Sequence, residues 1–354
     1  MNVKEKIRFA VVGNGWRALF FVRAAKNLPA LFELTGVLLR SREKAEAFAA
    51  EYGVPTFYEM DALLETKPEF VVSCQTKKAI SDMTLALMER GMNVLSETPY
   101  AIDEDTLEAL MKKQAEKGVV LDLAEQYFLY PTHQARRAVV NSGVLGEVQN
   151  VWMNMMHDYH GISMLRAYLG EESGPVTIRA RMLENPIVVT GSRAGYHTDG
   201  EMGAENRTLA QFDYGDGRSG LYDFSGTQYH SAIRSNHMRV LGTRGEIFDD
   251  EVRFLREDNR PETAKLVYHC DMITGTVRTI DFNGQCVYAN PFRWDVPMTE
   301  DDIAVSTVLM RMGERLSGGA AHYPFAFRDS YMSCLLLAAA EADGKIVTQK
   351  MPWD

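Results

Sequence analysis

Two stretches of this sequence carry residue types and spacings with chemical potential. The first is Gly13-Asn14-Gly15-Trp16-Arg17-Ala18, in which Gly13, Gly15 and Ala18 fill the three small-residue positions of a G-x-G-x-x-A turn. Glycines so spaced let the backbone bend sharply and pass close to a pyrophosphate, while the N–H groups opening the next helix bind the anion. The pattern alone is weak. It gains weight because Ile7 to Val12, just before it, is an apolar run with one Arg that reads as a buried strand, and a helix is predicted from about Trp16 to Asn27. The second stretch is His157-Asp158-Tyr159-His160. His157 and His160 have a spacing that suits a metal pair, but the residues between them leave a strand and enter a helix. Apart from Asp158 no third ligand has convincing spacing, so no metal is expected.

A dinucleotide makes a demand at the end of the second strand, where an acidic residue would hydrogen-bond the ribose hydroxyls of NAD. Here the sequence is Leu39-Arg40-Ser41-Arg42, with no acid until Glu43. Arg40 and Ser41, supported by Arg42, suit a 2′-phosphate, because guanidinium groups hold phosphate in a bidentate way; NADP is therefore favoured over NAD. The alternative is a solvated loop charge at Arg40 and a plain helix cap at Ser41. Gln75 and Thr76, after the next apolar strand, are either further cofactor contacts or ordinary loop caps.

These residues need a frame. Short apolar runs (Leu34 to Leu39, Phe70 to Ser73, Asn93 to Ser96, Val119 to Leu123) alternate with amphipathic stretches, the pattern of a parallel sheet with crossover helices. Ser41 and Asp103 are placed to cap helices carrying Ala45, Phe48 and Ala49, and Leu107, Leu110 and Met111; Gly91 is placed to stop another. After Gln126 the texture changes. A helix from Thr132 to Asn141 gives way to strands at Pro175 to Met182, Thr208 to Tyr214, Gly220 to Phe224, Met238 to Leu241 and Glu246 to Phe248. Asp216-Gly217 reads as a tight hairpin turn, and helices return at Asp301 to Leu316 and Phe327 to Ala342. The expected fold is an α/β Rossmann domain, a doubly wound parallel sheet, over residues 1–124, and an α+β domain over 125–354 with a large, mostly antiparallel open sheet.

Bulk properties agree with two domains in 354 residues: 46% of residues are apolar and 24% charged. A net charge of −10 argues against a nucleic-acid partner. No apolar run nears the roughly 18 residues of a membrane span, and Met1 to Lys6 shows no signal-peptide core, so a cytoplasmic location is expected. Cys74, Cys270, Cys286 and Cys334 show no close pairing and read as reduced thiols. Met153, Met155 and Met156 read as flexible core packing.

Several segments, in this order, resemble the Gfo/Idh/MocA oxidoreductases, the family named for glucose–fructose oxidoreductase and inositol dehydrogenase. They are the glycine turn, Asn93-Val94-Leu95-Ser96-Glu97-Thr98-Pro99-Tyr100-Ala101, Ser142-Gly143-Val144-Leu145-Gly146-Glu147-Val148, Val240-Leu241-Gly242-Thr243-Arg244-Gly245-Glu246-Ile247 and Met351-Pro352-Trp353. The resemblance implies hydride transfer between NAD(P) and a sugar, polyol or similar hydroxyl or keto compound. It implies that Gly13, Gly15, Trp16 and Arg17 belong to the cofactor turn and that Glu97, Thr98 and Pro99 line the nicotinamide. It also implies a homodimer or homotetramer built by pairing sheet faces.

The departures matter. The family usually carries Glu-Lys-Pro, whose Lys binds the reacting hydroxyl; here Thr98 follows Glu97 and supplies no positive charge. The family's Asp stands four residues before a His at the start of a helix. Counting back from Gly170 puts His160 on that His and Met156 on the Asp, with Asp158 two residues away. Loss of a proton from an alcohol suits a histidine base, so His160 is expected to be the general acid/base, with Tyr159, Asp158 or His157 as further polar groups. Glu125, Gln126 and Tyr127 are candidates for substrate contact, and the segment Tyr229-His230-Ser231-Ala232-Ile233-Arg234 reaches either the substrate or a subunit interface, or is a plain surface loop. Two other functions remain open: a redox-neutral NAD(P)-dependent enzyme that cleaves glycosides, and a cofactor-binding protein without turnover.

Overall fold

Phe9, Ala10, Val11 and Val12 are buried in succession, so this strand is covered on both faces. In the computed structural model, which describes residues 6–170, 176–321, 323–342, 344 and 346–349, it lies inside a parallel sheet. The chain runs β1 (Ile7–Val12), α1 (Trp16–Asn27), β2 (Phe32–Leu38), α2 (Arg42–Tyr52), β3 (Thr56–Phe57), α3 (Met60–Leu64), β4 (Phe70–Ser73), α4 (Ile80–Glu89), β5 (Val94–Ser96), α5 (Glu104–Lys117) and β6 (Leu121–Leu123). The strands lie in the order β3-β2-β1-β4-β5-β6, all parallel. This is the doubly wound sheet the alternating pattern implied. The two caps form as expected: Ser41 Oγ accepts from Lys44 N at 3.4 Å and Asp103 Oδ1 from Thr106 N at 2.8 Å. Strand β3 was not foreseen, since two residues are too short to show a period.

The second sheet draws on strands from a longer stretch: α6 (Pro131–Asn141), β7 (Val148–Asn154), α7 (Asp158–Leu169), β8 (Val176–Val188), the small hairpin β9 (Gly191–Ser192) and β10 (Gly195–Tyr196), β11 (Met202–Asp213), β12 (Ser219–Ser225), β13 (His237–Gly242), β14 (Gly245–Phe248), β15 (Glu251–Leu255), β16 (Pro261–Lys265), β17 (Val267–Cys270), β18 (Val277–Phe282), β19 (Gln285–Ala289) and β20 (Ile346–Gln349). Nine of these strands form one sheet in the order β16-β15-β14-β13-β7-β12-β11-β8-β20, with β7 and β12 parallel and the other recorded pairings antiparallel. One face buries alternate residues such as Ile178, Phe212, Tyr222 and Val240, and α7 packs on β7. The hairpin at Asp216-Gly217 is looser than expected. Asp213 pairs with Ser219, so residues 214–218 form the loop, which Tyr214 N closes onto Arg218 O at 3.2 Å.

Two compact units emerge with a boundary unlike the expected 1–124 and 125–354. The first comprises Met1–Tyr130, Asp271–Val277 and Asn290–Ser330; the second comprises the rest. The reason is α8 (Glu300–Leu316), which packs on α1 and β1 and ties itself there through Arg23 Nε to Asp302 Oδ1 at 2.9 Å. The last helix, α9 (Ala326–Glu341), divides between the units. Among the described residues no helix is long and apolar enough to cross a membrane. Met351-Pro352-Trp353 and Pro175 lie outside the described residues.

Candidate active site

Strand order in the first sheet reverses between β1 and β4, and the carboxyl ends of such strands form a ligand crevice. Here the crevice has a volume of ≈ 410 Å³ and is lined by Gly13, Asn14, Gly15, Leu39, Arg40, Lys44, Cys74, Gln75 and Thr76, among others. Gly13 is required twice over. Its φ is +122°, and a Cβ there would sit 2.3 Å from the Cys74 carbonyl oxygen. Gly15 differs: its φ is −68° and no protein atom lies within 4 Å of its Cβ direction. As the N-cap of α1 it offers no side-chain cap, and no acidic residue occupies the first turn. The start of α1 thus presents no competing side chain to an anion, which the helix dipole favours. The residues present fit a dinucleotide pyrophosphate. Arg40 and Lys44 are the cations among the lining residues, whereas Arg42 lies over the Tyr58 ring at 5.0 Å and donates to its hydroxyl at 2.5 Å.

Beside this crevice lies a buried polar cluster. Arg17 Nη1 donates to Asp301 Oδ1 at 2.8 Å, its Nη2 reaches the Gln126 amide oxygen at 2.8 Å, and its Nε stands 3.9 Å from Glu97 Oε1. Tyr130 hydrogen-bonds Asp301, and Glu125 Oε1 accepts from Tyr127 N at 2.9 Å. Burial pushes the Glu97 carboxyl up to about 7; Arg17 and the Thr98 N–H oppose this, and the carboxylates of Glu125 and Asp301 add to it. Burial also pushes the Cys74 thiol up, with the Glu97 charge in support.

In the second unit, α7 opens on the histidine stretch. His157 is its N-cap, and Asp158, its first residue, has φ +36°, an unusual backbone for a side chain other than glycine. Two tyrosines hold this turn. The Tyr222 hydroxyl accepts from Asp158 N at 2.8 Å; the Tyr229 hydroxyl accepts from His157 N at 3.1 Å and lies 2.7 Å from His157 Nδ1. Burial pushes the Tyr222 phenol well above its usual range, so it stays a neutral hydroxyl. The His157 and His160 rings meet edge to face at 4.9 Å. His160 is buried, and its carbonyl accepts from Ser163 Oγ at 3.0 Å. Tyr159 is buried as well. Among the described residues no three His, Cys, Asp or Glu side chains gather as metal ligands.

Residues 7–125 match the family model described as Gfo/Idh/MocA, oxidoreductase family, NAD-binding Rossmann fold. Residues 7–125 of this chain are thereby a Rossmann domain of the Gfo/Idh/MocA oxidoreductase family. The uncharacterized oxidoreductase YgjR of Escherichia coli is 30% identical over 145 residues, covering 40% of this chain and 44% of the relative. The scyllo-inositol 2-dehydrogenase (NADP(+)) IolU of Bacillus subtilis is 29% identical over 117 residues, 32% of this chain and 35% of the relative. The chain thus spans less than half the length of these curated relatives. An oxidoreductase from Agrobacterium radiobacter, solved with NAD+, L-tartaric acid and magnesium, superposes with a TM-score of 0.68 at 16% identity, over 97% of this chain and 98% of the other. The fold of both domains is therefore that of known oxidoreductases.

Within the Gfo/Idh/MocA domain, Gly13, Gly15, Arg40, Gln75 and Thr76 come together in the crevice. Gln75 is anchored there by its Nε2, which donates to Val12 O at 3.1 Å. The other expected site residues make contacts of their own. Trp16 meets Phe20 edge on at 4.7 Å and Arg17 is engaged in the polar cluster; neither is among the lining residues. Ser41 uses its Oγ as a helix cap. Glu97, Thr98 and Pro99 follow β5, with Pro99 buried, the Thr98–Pro99 peptide cis and Thr98 N donating to Glu97 Oε2 at 3.4 Å. Glu125 is fully buried in the cluster, and Tyr127 stacks on Tyr130 at 4.9 Å. Sequence reasoning missed Lys44, Asp301, Tyr130 and Tyr222. Lys44 had a readable signal, lying four residues beyond Arg40 in the first turn of α2; the link between Asp301 and Arg17 spans 284 positions and left none.

Proposed function

We propose that this chain is an NAD(P)-dependent oxidoreductase acting on a CH–OH group of a sugar, polyol or related hydroxyl or keto compound. The observation that carries this reading is the crevice at the sheet's switch point, where Gly13 admits no side chain and the uncapped start of α1 faces the space a pyrophosphate needs. When bound, a nicotinamide supplies the hydride acceptor. His160 takes the hydroxyl proton of the substrate and returns it in the reverse direction, and His157, Asp158 and Tyr159 shape its surroundings. The hinge of that arrangement is the pair of tyrosine hydroxyls on the first turn of α7. Glu97, with its carboxyl near neutrality, is the second group able to hold a proton.

Arg40 and Lys44 support NADP as the preferred cofactor, since a cation just after β2 and another in the first turn of α2 suit a 2′-phosphate better than a ribose diol. The carbohydrate-like substrate is supported by the inositol dehydrogenase among the relatives. Exposed Leu209 and Leu221 on the open face of the second sheet support a homodimer or homotetramer. The uncharged Thr98 favours one second reading, the redox-neutral cleavage of a glycoside, in which the hydride is returned. The test is to offer NADP+ with a panel of sugars and polyols and follow the reduced-nicotinamide absorbance. Growth with at least one compound supports the oxidoreductase; aglycone release without growth moves the second reading ahead, and neither outcome leaves cofactor binding alone.

A further inference from the structure

The second unit holds a recess of ≈ 350 Å³ that no step above uses, lined by Ser192, Gly195, Tyr196, Tyr229, His230 and Ser231, with Ala232 completing it. Two elements build it. One is the β9–β10 hairpin, in which Tyr196, 84% exposed, pairs with Gly191. The other is the helical turn Gly226–Tyr229, capped reciprocally by Ser225 and Gln228. The hairpin sits hard against that turn, because a Cβ on Gly191 would lie 2.5 Å from the His230 carbonyl oxygen. Thr190 Oγ1 accepts from Ala232 N at 2.8 Å and meets Ser231 Oγ at 3.5 Å.

The turn is also fixed from below. Buried Gln228 donates through Nε2 to Asn154 Oδ1 at 2.9 Å and to Ser235 O at 3.1 Å, and the Phe224 ring meets Tyr229 at 5.0 Å. Tyr229 thereby has two surfaces in use: its hydroxyl binds His157, and its residue forms part of the recess wall. His157 in turn meets the His160 ring. The recess is thus preformed and joined through Tyr229 to the histidines of α7. It combines aromatic side chains with the hydroxyls of Ser192 and Ser231.

Aromatic rings beside hydroxyl groups suit the mixed surface of a pyranose, whose C–H face is apolar and whose rim is polar. The volume is enough for one such ring. We propose that this recess binds a second sugar ring of the substrate, one joined by a glycosidic bond to the ring that reacts, so that the preferred substrate is a glycoside of at least two rings. This rests on the carbohydrate oxidoreductase reading and narrows it.

The experiment is titration calorimetry of the NADP+-saturated protein with glucose, methyl glucosides and the disaccharides cellobiose, maltose and trehalose, repeated on Tyr196→Ala. Tyr196 is so exposed that its removal leaves the fold intact. At least one disaccharide is expected to bind about tenfold more tightly than glucose, and Tyr196→Ala is expected to bring that ratio near one. Equal affinities for single and double rings overturn the recess while leaving the oxidoreductase standing. A disaccharide advantage that survives both Tyr196→Ala and Tyr229→Phe places the second ring elsewhere and also overturns it. Absence of binding by every sugar rejects this inference and the carbohydrate reading together.

Discussion

Glu97 Oε1 stands 3.9 Å from Arg17 Nε, yet the hydrogen bonds of that guanidinium go to Asp301 and Gln126, each at 2.8 Å. The carboxylate therefore has the Coulombic attraction of Arg17 without its hydrogen bond, inside a cluster that also holds Glu125 and Asp301. Burial wins over Arg17, and the carboxyl titrates at about 7 instead of its ordinary 4.5. Below pH 4.5 both folded and unfolded chains hold this proton. Between those values only the folded chain holds it, so the stability it contributes is lost as the pH rises through 7. The span corresponds to about 3 kcal/mol at most. Glu97→Gln should flatten that part of the profile and be more stable than the parent at pH 8, measured by urea unfolding at pH 5, 6, 7 and 8. Parallel profiles for the two proteins would remove Glu97 from the titration.

Gly13 is the most tightly specified position of the cofactor turn. Gly13→Ala places a methyl against the Cys74 carbonyl in a backbone that favours glycine, so it should cost about 1–3 kcal/mol of stability and weaken dinucleotide binding sharply. Gly15→Ala meets no protein atom and should fold normally while binding the dinucleotide less well. A Gly15→Ala protein of full cofactor affinity would contradict a pyrophosphate passing over this residue.

Arg40 and Lys44 should set the choice of cofactor. Each replaced by Ala is expected to weaken NADP+ by about tenfold or more and NAD+ by far less, since a charged hydrogen bond is worth about 1.5–3 kcal/mol. Arg42→Ala, which loses only its contact with Tyr58, should leave the preference alone. Equal losses for both cofactors would mean that these cations do not read the 2′-phosphate.

His160→Ala should lower kcat by about a hundredfold to ten-thousandfold while cofactor affinity stays near that of the parent. Tyr222→Phe removes the acceptor for Asp158 N, on a residue with φ +36°, and should lower kcat by a smaller factor without changing the cofactor Kd. Full turnover in His160→Ala would take that residue out of the mechanism.

The first sheet was legible because buried parallel strands and amphipathic helices write their periods locally, and because Ser41 and Asp103 announce their helices by capping. The second sheet was legible in class and less so in detail. Strand β7 stands parallel to β12 through a contact between distant residues, with no sequence signature, and glycines at 215 and 217 let the β11–β12 loop open to five residues. The crevice residues Gly13, Gly15 and Arg40 could be read because each follows a strand end. The fate of Arg17 could not, since Asp301 reaches it from a helix far along the chain. Tyr222 hid among alternating sheet residues, where a tyrosine reads as core until its hydroxyl is seen against Asp158 N.

In the proposed reaction a hydride passes from a substrate carbon to the nicotinamide. This transfer is tested most directly with a sugar found to react, deuterated at the carbon bearing the reacting hydroxyl, by mass spectrometry of the nicotinamide recovered after one turnover. The expected product is NADPH one mass unit heavier than that from unlabelled sugar, together with a ketone that has lost the label. Unlabelled nicotinamide beside a converted sugar would contradict it.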